Sequence, residues 1–116
     1  MTAPTNPVAY TELHTSDPNR ARAFYGELLG WKSEEEQTPM GPYTMFQGVL
    51  AGLTAPRDGM PVGWVTYVNV SDVSRATKRA KDLGASVLRD CITIPEGTFS
   101  VVRDPTGAVL GLWQKK

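Results

Sequence analysis

From Val8 to Thr15 apolar and polar residues alternate at the period of a strand, and Thr11, Glu12 and Thr15 mean that one side of it is not simply core. Asp17-Pro18 then reads as a helix start, with Asp as the N-cap and Pro in the first turn. Ala21, Phe24, Tyr25, Leu28 and Leu29 follow at helical spacing, and Gly30 stands where a left-handed cap ends a helix. On this spacing Phe24 and Tyr25 are expected in the core. Trp31 to Glu35 reads as a short exposed strand, and EEEQTPMGP as a loop by composition. YTMFQ and VLAGLT, joined at Gly48, read as a hairpin.

APRDGMPV reads as a Pro/Gly linker, and after it the order begins again. GWVTYVNVSD is a strand running to a second capping Asp, Asp72. Val73, Ala76, Ala80 and Leu83 give a second helical stripe, closed by Gly84. SVLRDCITI, TFSVVRD and AVLGLWQ are further strands, with the turn DPTG between the last two. The halves overlay: YTELHTSDPNRARAFYGELLG on VTYVNVSDVSRATKRAKDLG, and VLAGLT on VLGLW. A repeat of about 55 residues, strand–helix–strand–strand–strand, is the most informative pattern in the chain. One copy is too small to bury both faces of its sheet alone. The expectation is therefore an α+β fold in one domain, 1–116: module one at about 8–54, a linker at 55–62 and module two at about 63–114. Two β-α-β-β-β modules would form a cupped, eight-stranded mixed sheet with the helices outside.

Composition narrows the function. Twelve basic and twelve acidic residues cancel, which gives no electrostatic footprint for nucleic acid or an anionic membrane. No apolar run approaches the roughly 20 residues of a membrane span. MTAPTNPVAY carries neither a basic n-region nor an apolar h-region, so no secretory signal is read there. The one cysteine, Cys91, has no internal partner and no basic neighbour, which accords with a cytoplasmic setting and an inert buried thiol. A single His and a single Cys exclude a His/Cys-rich structural zinc site.

TSDPNRARAFYGELLGW after the first strand, VSDVSRATKRAKDLGA after the fifth and the closing DPTGAVLGLWQ together resemble the vicinal oxygen chelate superfamily, the fold of glyoxalase I, bleomycin-resistance proteins and extradiol dioxygenases. The resemblance covers nearly the whole chain and is nearest to a glyoxalase-related subgroup. It implies one divalent metal held by side chains of the first, fourth, fifth and eighth strands. Those positions fall here on Tyr10, Gly52, Val65 and Gly111. Val and Gly side chains cannot ligate and a phenol is a poor ligand, so no metal or other cofactor is expected. The two glycines would leave the space that a metal and its ligands take in relatives.

The candidate chemistry lies on the first strand. Tyr10, Glu12 and His14 alternate onto one face, the face that the resemblance turns toward a cavity, and their repeat partners are Val65, Tyr67 and Asn69. Glu12 and His14, about 7 Å apart along the strand, could share a metal, contact a substrate, move a proton, or be partly solvated polar residues. Glu12 is the best general base, because an aromatic pocket of Tyr10, Tyr67 and Trp113 would strip it of water. Trp113 reads as a stacking wall or an interface residue. Arg103, the repeat equivalent of Gln47, could reach a ligand carboxylate or make a surface ion pair.

Three functions remain open. The first is a glyoxalase/bleomycin-resistance-like protein that binds a small organic molecule without metal. The second is a cofactor-independent lyase or isomerase with Glu12 and His14 as catalytic residues and Tyr10, Tyr67, Asn69, Trp113 and Arg103 around the ligand. The third, which the ligand positions oppose, is a metal-dependent lyase or dioxygenase. Glyoxalase I activity is not expected. A homodimer is, with Trp31 and Trp64 as candidate anchors.

Overall fold

The structure, a computed structural model, describes residues 6–55 and 59–116. The elements are β1 (Val8–His14), α1 (Pro18–Leu29), β2 (Ser33–Thr38), β3 (Gly41–Phe46), β4 (Ala51–Thr54), β5 (Gly63–Asn69), α2 (Val73–Asp82), β6 (Ser86–Ile94), β7 (Gly97–Arg103) and β8 (Val109–Lys115). Among the described residues the chain is thus α+β, with eight strands of mixed direction in two β-α-β-β-β modules. The expected linker includes Pro56, Arg57 and Asp58, and the N-terminal stretch includes Met1 to Thr5; all of these lie outside the described residues.

Contacts divide the chain into two compact units whose boundaries fall inside β1 and β5. A first-half unit is Thr11–Val65, and a second-half unit joins the residues up to Tyr10 to Thr66–Lys116. The strand pattern of one repeats in the other. In the first-half unit β1 runs parallel to β4, β4 antiparallel to β3, and β3 antiparallel to β2. In the second-half unit β5 runs parallel to β8, β8 antiparallel to β7, and β7 antiparallel to β6.

The helix starts follow from their sequences. The Asp17 side chain accepts from the Arg20 amide at 3.0 Å, and Asp72 accepts from the Arg75 amide at 3.0 Å, so each carboxylate meets one orphan N–H of its first turn. Gly30 ends α1 in the left-handed region at φ 72°, which a side chain rarely adopts.

Each unit has its own apolar centre. In the first-half unit Leu13, Phe46, Ala51 and Leu53 are buried, with Ala21, Tyr25, Trp31 and Val49 packed against them. In the second-half unit Val73, Val102 and Leu112 are buried, with Ala76 and Ala80 of α2 among the residues around them. Fully burying such side chains contributes about 1.5–3 kcal/mol each.

Two expectations are corrected. The acidic stretch is not a loop: Glu34, Glu35 and Glu36 belong to β2, in register with Met45, Thr44 and Tyr43 of β3. Composition misleads because β2 ends its row of strands, and an edge strand carries charge on its open side without cost to the core. The Thr38 hydroxyl secures the hairpin, donating to the Gly41 carbonyl at 2.6 Å and accepting from the Met40 amide at 3.2 Å. Phe24 is not core but 56% exposed, and no residue of α1 is fully buried. Ala21 and Tyr25, one turn apart, take the inward side, and Phe24 stands about 100° around the helix from Tyr25. The Trp31 indole stacks on Tyr25 (5.9 Å, 25°) and packs on Phe46 (5.0 Å). Trp64 stays 41% exposed.

Candidate functional site

In the first-half unit, β1 pairs with β4 so that Glu12 stands opposite Gly52 and His14 opposite Thr54. Leu13, between them, goes to the α1 side with Leu53. Alternation therefore sends Glu12 and His14 away from the core, and yet both are buried, at 9% and 3% exposure. Their side chains meet: His14 Nε2 lies 2.9 Å from Glu12 Oε1. The distance suits a hydrogen bond but the alignment does not, and neither ring nitrogen of His14 has a hydrogen-bond partner among the described residues. We read the pair as a close carboxylate–imidazole contact rather than a formed bond, since a 2.9 Å separation is strongly attractive whenever the ring is protonated.

Tyr43 of β3 completes this face. A methyl group built on Gly52 would overlap the end of the Tyr43 phenol, its Oη first. Gly52 has no side chain because the hydroxyl of Tyr43 takes that space. Thr44 and Thr54 are also buried in this unit.

The second-half unit carries an aromatic group. Tyr10 and Tyr67 stack in parallel with centroids 4.8 Å apart and planes 10° apart. Trp113 meets Tyr10 edge-on at 6.1 Å, and Phe99 meets Tyr67 edge-on at 6.1 Å. Register brings them together: Tyr67 pairs with Gly111, Asn69 with Trp113, and Phe99 with Trp113. A methyl group on Gly111 would lie inside the Tyr67 ring, and one on Gly97 would run first into the Gln114 backbone carbonyl and then into the far edge of the Trp113 indole. Gly111 is required by close approach of an aromatic ring, and Gly97 chiefly by close approach of the neighbouring backbone.

The expected site residues thus sort into two groups and an outlier. Glu12 and His14 are brought together in one unit, and Tyr10, Tyr67 and Trp113 in the other, with Asn69 beside Trp113 in register. The Asn69 backbone is tied down, its N–H donating to the Pro7 carbonyl and its carbonyl accepting from Asn6 Nδ2 at 3.0 Å. Arg103 is not brought to the aromatic group. It lies four strand positions from Phe99, about 13 Å, and its Nη1 donates to the Gly107 carbonyl at 2.9 Å. That bond braces the β7–β8 turn, where Asp104 accepts from the Thr106 hydroxyl and amide and the Ala108 amide. These donors, the Thr106 hydroxyl foremost, hold the Asp104 carboxyl below its ordinary range.

Tyr43, Phe99 and Gly97 were missed in the sequence. A signal existed: the overlay that pairs Gln47 with Arg103 also pairs Tyr43 with Phe99. Cys91 is half-buried, with a backbone φ of 48°. Its amide donates to the Ser100 hydroxyl at 2.9 Å, and that hydroxyl lies 2.8 Å from the hydroxyl of Thr77.

The four positions where the resemblance implies metal ligands do not fit a divalent cation. Tyr10 is stacked on Tyr67, Val65 is a buried aliphatic at 2% exposure, and the glycines carry no donor. The space over Gly52 and Gly111 is not left over from a metal, as expected, but filled by Tyr43 and Tyr67. Among the described residues no group of three or more His, Cys, Asp or Glu could hold a metal ion, and no helix is long and apolar enough to cross a membrane.

Residues 10–112 match the family model described as a glyoxalase-like domain. The chain is 34% identical over 115 residues to the putative glyoxylase CFP32 of Mycobacterium tuberculosis, covering 90% of this chain and 44% of that protein. It is 29% identical over 127 residues to the anthracycline biosynthesis protein DnrV of Streptomyces peucetius, covering 92% and 46%. The chain therefore spans less than half the length of these curated relatives. Among solved structures, methylmalonyl-CoA epimerase from Mycobacterium tuberculosis superposes with a TM-score of 0.66 at 17% identity, over 100% of this chain and 93% of that one. A glyoxalase/bleomycin resistance protein/dioxygenase superfamily member from Vibrio splendidus superposes with a TM-score of 0.63 at 19% identity, over 97% and 100%. The chain belongs to the glyoxalase-like domain family, within the vicinal oxygen chelate superfamily.

Proposed function

We propose that this chain binds a small organic molecule carrying a flat unsaturated portion, and that it does so without the metal of its better-known relatives. The observation that carries the reading is the aromatic group of Tyr10, Tyr67 and Trp113 standing at and beside two of the positions that chelating relatives use for ligands. Such rings recognise a ligand by stacking and edge contacts, each worth about 0.5–1.5 kcal/mol beyond area, and need no cation. The name of DnrV, a protein of anthracycline biosynthesis, supports a polycyclic aromatic as the first probe. Balanced charge speaks against nucleic acid as the partner.

The test is titration with a soluble anthraquinone, followed by quenching of tryptophan emission. The expected result is saturable binding that weakens about tenfold in Trp113→Ala, while Trp64→Phe binds as the parent does. Absence of saturable binding, or equal binding by Trp113→Ala, overturns the reading. Metal analysis of purified protein is expected to find far less than one equivalent of Ni, Zn or Fe per chain.

The Glu12–His14 contact favours a second reading, a cofactor-independent lyase or isomerase in which Glu12 takes a proton from carbon. Glu12 is buried with His14 Nε2 2.9 Å away, so a proton taken by the carboxylate has the imidazole within reach. Incorporation of solvent deuterium into a turned-over ligand, abolished in Glu12→Gln with binding retained, separates this reading from binding alone. Turnover of the methylglyoxal–glutathione hemithioacetal is not expected, since that reaction in the family polarises its enediolate with a metal.

A further inference from the structure

One row of residues crosses the second-half unit from the aromatic group to its outermost strand. Tyr67 of β5 pairs with Gly111 of β8, Gly111 with Val101 of β7, and Val101 with Arg89 of β6. Residues paired across neighbouring strands share a face of the sheet, so Arg89 belongs to the face of Tyr67, Phe99 and Trp113. Its backbone stands two strands from Gly111, about 10 Å, a distance that a long side chain largely spans.

Simple alternation would not put it there. Val87 packs into the apolar centre under α2, and Arg89, two residues on, would face the same way. The strand departs from alternation twice. From Val87 opposite Val102 to Arg89 opposite Val101, β6 advances two residues against one; from Arg89 to Ile92 opposite Phe99, it advances three against two. Such bulges re-aim side chains. The first turns Arg89 over to the aromatic face. The second turns its neighbours back, for Asp90 reaches Lys81 of α2 at 3.6 Å and Cys91 Sγ lies 3.9 Å from the Thr77 hydroxyl. It carries a backbone cost, since Cys91 takes φ 48° without being a glycine. The strand at the same place in the repeat, β2, pairs with β3 residue for residue from Ser33 to Thr38 and bears acids. The re-aimed cation is a feature of the module that holds the rings.

We propose that Arg89 determines specificity by receiving a carboxylate at the edge of the flat ligand held by the aromatic group. This rests on the binding reading proposed for Tyr10, Tyr67 and Trp113 and names its ligand class, a planar organic acid. Arg89 is half-buried, and its Nη1 donates to the Leu88 carbonyl at 2.7 Å. A guanidinium has five N–H donors in a planar fork that matches a carboxylate. A charge-assisted pair is about twice as strong as a neutral hydrogen bond, so an anion displaces neutral acceptors. Partial burial helps, because salt screens such a pair less than one in open solvent. Arg103, the cation first expected in this role, is held at the β7–β8 turn by the Gly107 carbonyl.

The experiment titrates the full chain with anthraquinone-2-carboxylate and with anthraquinone-2-carboxamide, alike in shape and different in charge, and follows tryptophan emission. The carboxylate is expected to bind about tenfold more tightly, with a preference that falls as salt is raised. Arg89→Gln is expected to abolish the preference and leave carboxamide binding unchanged. Arg89→Lys is expected to keep only part of it, since an ammonium offers the charge without the fork. Arg79→Gln, which removes a cation from α2 on the other side of the sheet, is expected to keep all of it. Equal binding of the two probes by the parent, or a preference that survives in Arg89→Gln, overturns the inference and leaves the aromatic reading standing. No saturable binding of either probe overturns both. Should Arg89→Gln not fold, an undiminished preference in Arg89→Lys overturns the inference in its place.

Discussion

The two modules begin their helices with the same device, an aspartate accepting from the amide three residues on, and then use their surfaces differently. The second module buries Val73 and Thr77 under α2 and turns basic residues outward. The first buries no α1 residue fully and shows solvent Phe24, Leu28 and Leu29. The sites diverge in parallel. Gly52 and Gly111 are repeat partners, and each is covered by a tyrosine, but Tyr43 comes from the neighbouring antiparallel strand and Tyr67 from the neighbouring parallel one. Beside the first glycine stand a carboxylate and an imidazole, Glu12 and His14; beside the second, stacked rings. A duplicated backbone keeps its caps and registers because these are local, and leaves each face free to take its own chemistry.

The largest break in this comparison comes from the Glu12–His14 contact. His14→Leu leaves Glu12 buried without its partner and is expected to cost about 3–5 kcal/mol in urea unfolding, whereas Glu12→Leu with His14→Leu recovers most of the loss. Equal destabilisation by the single and double variants would mean that the pair does not couple.

The glycines sharpen the contrast. Gly111→Ala drives a methyl into the body of the Tyr67 ring, which is 2% exposed, and is expected to cost about 3 kcal/mol. Gly52→Ala meets only the far end of the half-buried Tyr43 side chain, which can give way, and is expected to cost about 1 kcal/mol. The reverse order in a thermal-shift series would contradict the packing described for the two faces.

Next comes the hydroxyl cluster of the second module. The Thr77 hydroxyl donates to the Val73 carbonyl at 2.6 Å and reaches the Ser100 hydroxyl at 2.8 Å. Thr77→Val keeps the shape, removes both contacts, and is expected to lower stability by about 1–2 kcal/mol.

The smallest effect is expected at the β7–β8 turn. Asp104 is held ionised by its three donors, so its folded value is below the unfolded one, near 3.8. The stability it adds is present above that value and is lost as pH falls through the lowered folded value. Amide exchange at Thr106 and Ala108 is therefore expected to lose protection in that acid window, and Asp104→Asn to remove the pH dependence.

Much of the architecture was legible because its signals are local. Asp17, Pro18 and Gly30 bracket α1 by satisfying its ends, and the same logic brackets α2 from Asp72. The absence of ligating side chains at Val65, Gly52 and Gly111 was equally plain, since no fold can lend a donor to a residue that has none. Two misreadings share a cause. The acids of β2 look like loop because composition does not say whether a strand has a neighbour on one side or two. Phe24 looks like core because a periodic stripe gives a direction and not a depth.

What the sequence determined by itself, then, is the repeat, the capped helices, the strand order along the chain and the empty ligand positions, all set by residues within a few places of one another. What only the tertiary structure decided is how rings and charges from distant segments meet. Tyr43 fills the space over Gly52, Tyr67 fills that over Gly111, and Nε2 of His14 comes to 2.9 Å from Glu12. These contacts depend on strand register and rotamer, and register is fixed by burying whole faces at once, so no stretch of residues carries it alone.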